Sequence, residues 1–315
     1  MLDNFLFSLN VVVPVFVVMF LGYYLKKREV ITSGFLASGN KLVYYVALPA
    51  LLFRGVYSTE IGAFMDIRFI SFTLGSAIVA FFIIWRVAAI FLKEEPVLAS
   101  FAQGAYRGSF ALLGTPLIIN LSGDAGMARA ALVMVFVIPF FNVFSILALA
   151  PCTGEKLNML NVIWTVAKNP SNVMIVLGII MAVFGIPLPV MAEGAINTTA
   201  NLATPLALLC LGGGITFHGV DSKFKYAMLG SIIKVAIMPA IVITIAVLFG
   251  FRDYDLAVIT MLFGVPSAVV GYAMAAQMGG DTYIASTIVV FSTIMSAVTL
   301  TVFIYVLRVM GLLVV

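Results

Sequence analysis

The sequence predicts an all-α polytopic membrane protein: ten transmembrane helices in two inverted five-helix repeats, with the fourth and ninth helices broken where they cross. Three observations predict it. The first is composition: 63% of the 315 residues are hydrophobic and only 10% charged, whereas soluble domains hold about 45–50% apolar and about 25% charged residues. Mean hydropathy is +1.19. The second is an internal repeat. RGSFALLGTPLIINLSGDAG from Arg107 aligns with the stretch after Gly264, VPSAVVGYAMAAQMGGD, pairing Gly114 with Gly271 and Gly123-Asp124 with Gly280-Asp281. ALPALL around Pro49 matches ATPLAL around Pro205 at nearly the same offset. The third is punctuation: Gly and Pro interrupt two apolar runs at matching repeat positions, the pattern of secondary carriers whose substrate binds at the interruptions.

Each span is an apolar run bounded by polar residues, long enough for a bilayer core of ~30 Å at ~1.5 Å per residue in nine cases, some of which must tilt, while the sixth is short. The first, 6–25, follows an acidic rather than basic start (MLDN) and is expected to be retained, not cleaved; it ends at Lys26-Lys27-Arg28. The second, 35–54, carries Pro49. The third, 68–92, lies between Arg68 and Lys93 and holds Arg86, whose stem can reach the inner interface. The fourth, 96–121, contains Arg107 and Gly114-Thr115-Pro116, and the fifth, 127–151, contains Asn142. Residues 152–168 read as a short cytoplasmic linker between a first repeat, 1–151, and a second, 169–315. The sixth span, 169–185, opens at Asn169-Pro170, and the seventh, 195–214, closes on Gly212-Gly213-Gly214. The eighth, 224–250, holds Lys234; the ninth, 255–278, holds Pro266 and Gly271; the tenth, 283–308, is rich in Ser and Thr. Five spans per half is an odd number, so the second half enters from the opposite side. Basic residues concentrate at the loops that face inward if the N-terminus is outside, led by Lys26-Lys27-Arg28. Both termini are therefore expected on the outer side of a cell inner membrane.

The composition excludes several classes. A pI near 9.0 reflects a surplus of only +4 spread over short loops, a topology signal and not a nucleic-acid footprint. Cys152 and Cys210 have no metal or redox spacing, and the one histidine, His218, reads as a solvated loop residue. No metal and no cofactor is expected. An intramembrane zinc protease needs HExxH, which one histidine cannot supply, and Asp253 with Asp255 sits on an outer loop without a partner motif. Nothing resembles a channel's filter loop or charge ring, but uncoupled conductance stays open, and saturation with counterflow would separate a carrier from it.

Charge inside the spans carries the functional reading. Arg107 lies about eleven residues into its span, some 16 Å deep, just before Gly114-Thr115-Pro116. A guanidinium there is costly unless it faces an aqueous cavity, an anion or freed carbonyls. Two readings stand: it attracts an anionic substrate, or it satisfies carbonyls released by the break. Lys234 is similarly deep but far in sequence from either break, and for it the structural and functional readings are level. The breaks themselves are expected at Gly114–Pro116 and Pro266–Gly271, because proline removes an amide hydrogen and glycine allows non-helical torsions. Each break exposes a half-helix N-terminus able to hold a carboxylate. Ser109, Thr115, Ser267 and Tyr272 flank these points and Asn142 lies mid-span, all as candidate donors.

At these residues the sequence resembles the auxin efflux carrier family over essentially the whole chain. The carrying motifs are RGSFALLGTPL, the Asn169-Pro170 pair, ATPLALLCLGGG and VPSAVVGYAMAAQMGGD. It is similar to the compact bacterial members, malonate and malate carriers among them, more than to plant proteins with long central loops. The resemblance implies a scaffold of spans 1, 2, 6 and 7 that forms a homodimer, and a transport domain of the others that moves against it. It also implies that a small organic anion binds at the crossing by its carboxylate, with the lipid bilayer as the protein's other partner. Family members commonly carry asparagine where this chain has Ser109, which weakens transfer of auxin specificity and gives Arg107 more weight. The expected function is a carrier of small carboxylates such as malonate or malate working by alternating access. Its alternatives are a carrier of auxin-like aromatic monocarboxylates and an ion-coupled symporter of the bile-acid-carrier type. The last would need acids at the crossing, which the spans lack; proton coupling and uniport stay open.

Overall fold

The computed structural model describes residues 2–57, 66–153, 164, 168, 170–214 and 223–313. Most of the expected linker 152–168, with Lys156, and also Asn169 and His218, lie outside these residues. The described chain is helical throughout: α1 (Leu2–Lys27), α2 (Ser33–Tyr57), α3 (Ile67–Phe91), α4 (Glu95–Tyr106), α5 (Phe110–Gly123), α6 (Ala125–Cys152), α7 (Pro170–Val183), α8 (Val190–Gly213), α9 (Phe224–Leu248), α10 (Asp253–Gly264), α11 (Val269–Gln277) and α12 (Thr282–Val309). Five of them, α2, α3, α6, α9 and α12, are long and apolar enough to cross a membrane. Polar side chains start several: Thr32 caps α2, Asp66 caps α3 and Asp281 caps α12, each accepting from the amide three residues on.

Proline shapes the long helices without cutting them. A wider π turn spans Val43–Ala47 in α2, Phe110–Gly114 in α5 and Ile233–Ile237 in α9. Each ends two residues before a proline: Pro49, Pro116 and Pro239. The proline ring collides with the carbonyl four residues back. That carbonyl belongs to Tyr45, Leu112 or Val235, in the middle of each π turn, where the looser winding makes room for it. This moves one expected interruption. The fourth span stays helical through Gly114–Pro116 and unwinds instead at Arg107–Ser109, between α4 and α5. The ninth unwinds at Val265–Ala268, between α10 and α11.

Apolar side chains face outward as well as inward, and a set of polar ones is buried among the core. Phe20, Ile90, Met191 and Leu248 stand exposed along the helices, while Lys234, Ser145, Ser231, Ser292 and Ser296 have no accessible surface. Such burial suits a hydrocarbon surround, where apolar surface costs nothing and polar side chains gain by turning inward. Helix α1 packs along α8, and α7 along α2. The first pair meets backbone to backbone: a Cβ on Gly22 would collide with the Leu209 carbonyl, and one on Gly212 with the Met19 carbonyl. Arg86 is on the exposed side of α3.

Two ion clusters sit at helix starts. Arg129, near the start of α6, pairs with Asp255 at 2.9 Å and Asp66 at 3.6 Å, joining the starts of α3, α6 and α10. Lys223, at the start of α9, pairs with Asp281 at 2.8 Å and Glu94 at 3.3 Å, joining the starts of α9, α12 and α4.

Candidate functional site

The two unwound segments hydrogen-bond to each other. Gly108 and Ser267 form a single antiparallel bridge. The Ser109 amide donates to the Pro266 carbonyl at 2.8 Å, and the Ala268 amide to the Arg107 carbonyl at 3.2 Å. Pro266 contributes only an acceptor, the one backbone group it has. The Ser267 amide donates to the Ser292 hydroxyl at 3.0 Å. Each segment thus satisfies backbone that the other freed, which is how non-helical chain is tolerated inside protein at membrane depth. Four half-helix ends converge here: the C-termini of α4 and α10 and the N-termini of α5 and α11.

Beside the bridge lies a cavity of about 60 Å³. The first residues of α5 line it, Phe110, Ala111 and Leu112, whose amides have no acceptor within their own helix. Arg107, Ser109, Asn142 and Tyr44 line it too. Arg107 is 8% exposed. It donates to Asn142 Oδ1 at 2.7 Å, Met274 Sδ at 3.1 Å and Ser145 Oγ at 3.4 Å, all neutral acceptors. No ion pair to Arg107 occurs among the described residues. The positive ends of a half-helix and an uncompensated guanidinium therefore face one small space, a field that favours an anion.

Of the ten candidate residues, the structure gathers Arg107, Ser109, Asn142, Pro266 and Ser267 at or beside the bridge. It does not bring the others there. Gly114 closes the π turn with the Phe110 ring packed against it, and Thr115 and Pro116 continue the helix beyond. The Thr115 hydroxyl is buried with no partner among the described residues. Gly271 lies in α11 against the Gln103 side chain, and Tyr272 is exposed. Sequence reasoning missed Tyr44, which reaches the cavity from the π turn of α2, and the acceptors Ser145 and Met274. Lys234 is far from either break in sequence, which left its structural and functional readings level. The fold brings its Nζ 2.7 Å from the Phe263 carbonyl, at the end of α10 and beside Gly108. Among the described residues no group of His, Cys, Asp and Glu is placed to hold a metal ion.

A family model described as "Membrane transport protein" matches residues 7–161 and 155–304. The chain belongs to this family. The match bears out the resemblance to auxin efflux carriers and makes the chain a transporter, not an enzyme. Relatives of this membrane transport protein extend over nearly its full length. An uncharacterized transporter of Methanothermobacter thermautotrophicus is 24% identical over 94% of this chain and 97% of its own. The uncharacterized transporter YfdV of Escherichia coli K12 is 24% identical over 96% and 98%. A Rhizobium meliloti protein named "Putative malonate transporter" is 26% identical over 95% of each.

Proposed function

We propose that this membrane transport protein is a secondary carrier of small organic anions, short carboxylates such as malonate or malate, working by alternating access. The observation that carries the reading is the Arg107 guanidinium, held by neutral acceptors beside the uncovered N-terminus of α5. A buried arginine without an anion costs at least about 2.5–3.5 kcal/mol in a membrane, and a substrate carboxylate supplies that anion. The cavity's small size favours a molecule of few heavy atoms, and the relative named for malonate agrees with that class.

The architecture behind this function is ten spans in two inverted repeats, 1–151 and 169–315. What supports it is the pair of ion clusters. Asp66 and Lys223 precede α3 and α9 at the same offset that relates Gly114 to Gly271. One cluster ties the starts of α3, α6 and α10; the other ties those of α9, α12 and α4. Exchanging the halves of the chain converts one set of helices into the other. A ten-span threading with both termini outside also puts each cluster wholly on one side of the membrane. The α1–α8 and α2–α7 contacts are the scaffold through which two copies pair, and the other helices form the moving domain, in a cell inner membrane.

Counterflow tests the function. Proteoliposomes loaded with excess unlabelled malonate are expected to accumulate external labelled malonate transiently and saturably. Arg107→Gln is expected to lower the initial rate at least tenfold while eluting as a folded protein. Folded wild type that accumulates neither malonate nor malate overturns the substrate class.

A further inference from the structure

Lys234 is the second buried cation of the crossing, and the substrate reading makes no use of it. Its side chain has no accessible surface. Its Nζ donates to the Phe263 carbonyl at 2.7 Å. Phe263 lies in the last turn of α10, where carbonyls lose their intrahelical partners and carry the negative end of the helix dipole. Leu262 belongs to the same turn, and its carbonyl faces Gly108: a Cβ on Gly108 would stand 3.2 Å from both Leu262 O and Lys234 Nζ. Gly108, bare of a side chain at the unwound point of the other span, leaves the ammonium its room. No ion pair to Lys234 occurs among the described residues.

The four half-helix ends are thus unequally filled. At the negative end of α4 the capping Arg107 contributes only its backbone amide, its guanidinium donating to Asn142, Ser145 and Met274, whereas the negative end of α10 carries the Lys234 ammonium. The positive ends of α5 and α11 hold no fixed anion among the described residues. In carriers built on broken helices, half-helix C-termini and unwound carbonyls are where a coupling cation binds. We infer that the Lys234 ammonium occupies, as part of the chain, a monovalent-cation site at the C-terminal end of α10, so that the crossing is complete without an alkali cation. Removing the amine leaves the Phe263 and Leu262 carbonyls facing a space that a sodium ion fills. Lys234 is accordingly a positioning residue, which holds the end of α10 in register with Gly108 while the anion binds in the cavity that Gly108 helps to line.

This inference rests on the carrier reading, and its test has a readout that needs no substrate. Purified wild type, Lys234→Ala and Lys234→Met are melted in detergent in sodium chloride and in choline chloride at equal ionic strength. Wild type is expected to melt alike in the two salts. Lys234→Ala is expected to melt lower than wild type in choline and to recover by about 3 °C or more in sodium, in a saturable way. Lys234→Met fills the space without donating and is expected to show no sodium response. A sodium response of similar size in wild type, or none in a cooperatively melting Lys234→Ala, overturns the inference. Malonate counterflow, run in the same salts, is expected to be salt-indifferent in wild type and sodium-dependent in Lys234→Ala. If wild type moves no malonate but the melting pattern holds, the substrate class falls and the cation site stands.

Discussion

Arg107 and Asn142 form the pair on which the substrate reading turns, because the amide oxygen 2.7 Å from the guanidinium stands where a carboxylate oxygen could. Asn142→Asp replaces that neutral acceptor with a carboxylate of the same shape. The buried charge then gains a partner, so the melting temperature is expected to hold or rise, while malonate counterflow falls at least tenfold because an internal anion occupies the guanidinium. Transport at the wild-type rate in Asn142→Asp would remove Arg107 from the substrate site. Gly108 lies between the cavity, which it helps to line, and Lys234. Alanine there would bring a Cβ 3.0 Å from Val265 Cγ2 and 3.2 Å from Lys234 Nζ. Gly108→Ala is expected to destabilise the protein by about 1–3 kcal/mol, the usual cost of overpacking, and to slow transport; a melting curve and a counterflow rate read both. The depth of Arg107 was legible in the sequence because an isolated cation in an apolar run has few explanations. The position of Lys234 was not, since separation along the chain says nothing of how α9 lies against α10. The signal available was the same as for Arg107: a lysine at mid-span with no acid at its depth.

At the scale of elements, the sequence showed that two spans are interrupted and misplaced one interruption. Pro116 and Gly114 are the strongest local breakers in the fourth span, but a π turn absorbs the proline. The unwinding falls where the backbone finds a partner, at the bridge between Gly108 and Ser267. Local propensity marks where a helix can give way; the neighbouring segment decides where it does. The helix-start ion clusters show what holds these elements in register. The hydrogen bond to Asp281, and with it the pairing with Glu94, holds the Lys223 ammonium above the ordinary lysine range. A pKa raised on folding stabilises the protein below the unfolded value, about 10.5, and that contribution is lost as pH climbs through the higher folded value. The pair is partly exposed, so its worth is at most about 1 kcal/mol. The melting temperature of wild type is expected to exceed that of Lys223→Met by a constant margin from pH 6 to 9. Above about pH 10.5 the margin is expected to shrink. A margin that does not change into strong alkali would mean Lys223 contributes packing, not charge.

The whole molecule poses a question of sidedness, and its charge pattern makes the answer measurable. Hydropathy was legible in composition, and among the described residues five helices meet a strict standard of length and apolarity. The fourth and ninth spans are each divided into two shorter helices, α4 with α5 around Arg107 and α10 with α11 around Ser267. A repeat with an odd number of spans per half must present its two halves to opposite sides of the membrane, and the two ion clusters would then mark the two faces. Ile67 and Tyr254 are exposed near the cluster built on Arg129, while Thr282 and Glu95 are exposed near the one built on Lys223. Single cysteines at these four positions, in a background lacking Cys152 and Cys210, can be challenged in intact cells with a membrane-impermeant maleimide. Ile67→Cys and Tyr254→Cys are expected to react from outside, while Thr282→Cys and Glu95→Cys react only after the cells are opened. Reaction of all four from one side would mean that the clusters share a face and that the halves are not inverted. Reversed labelling of the two pairs would keep the inversion and place both termini inside.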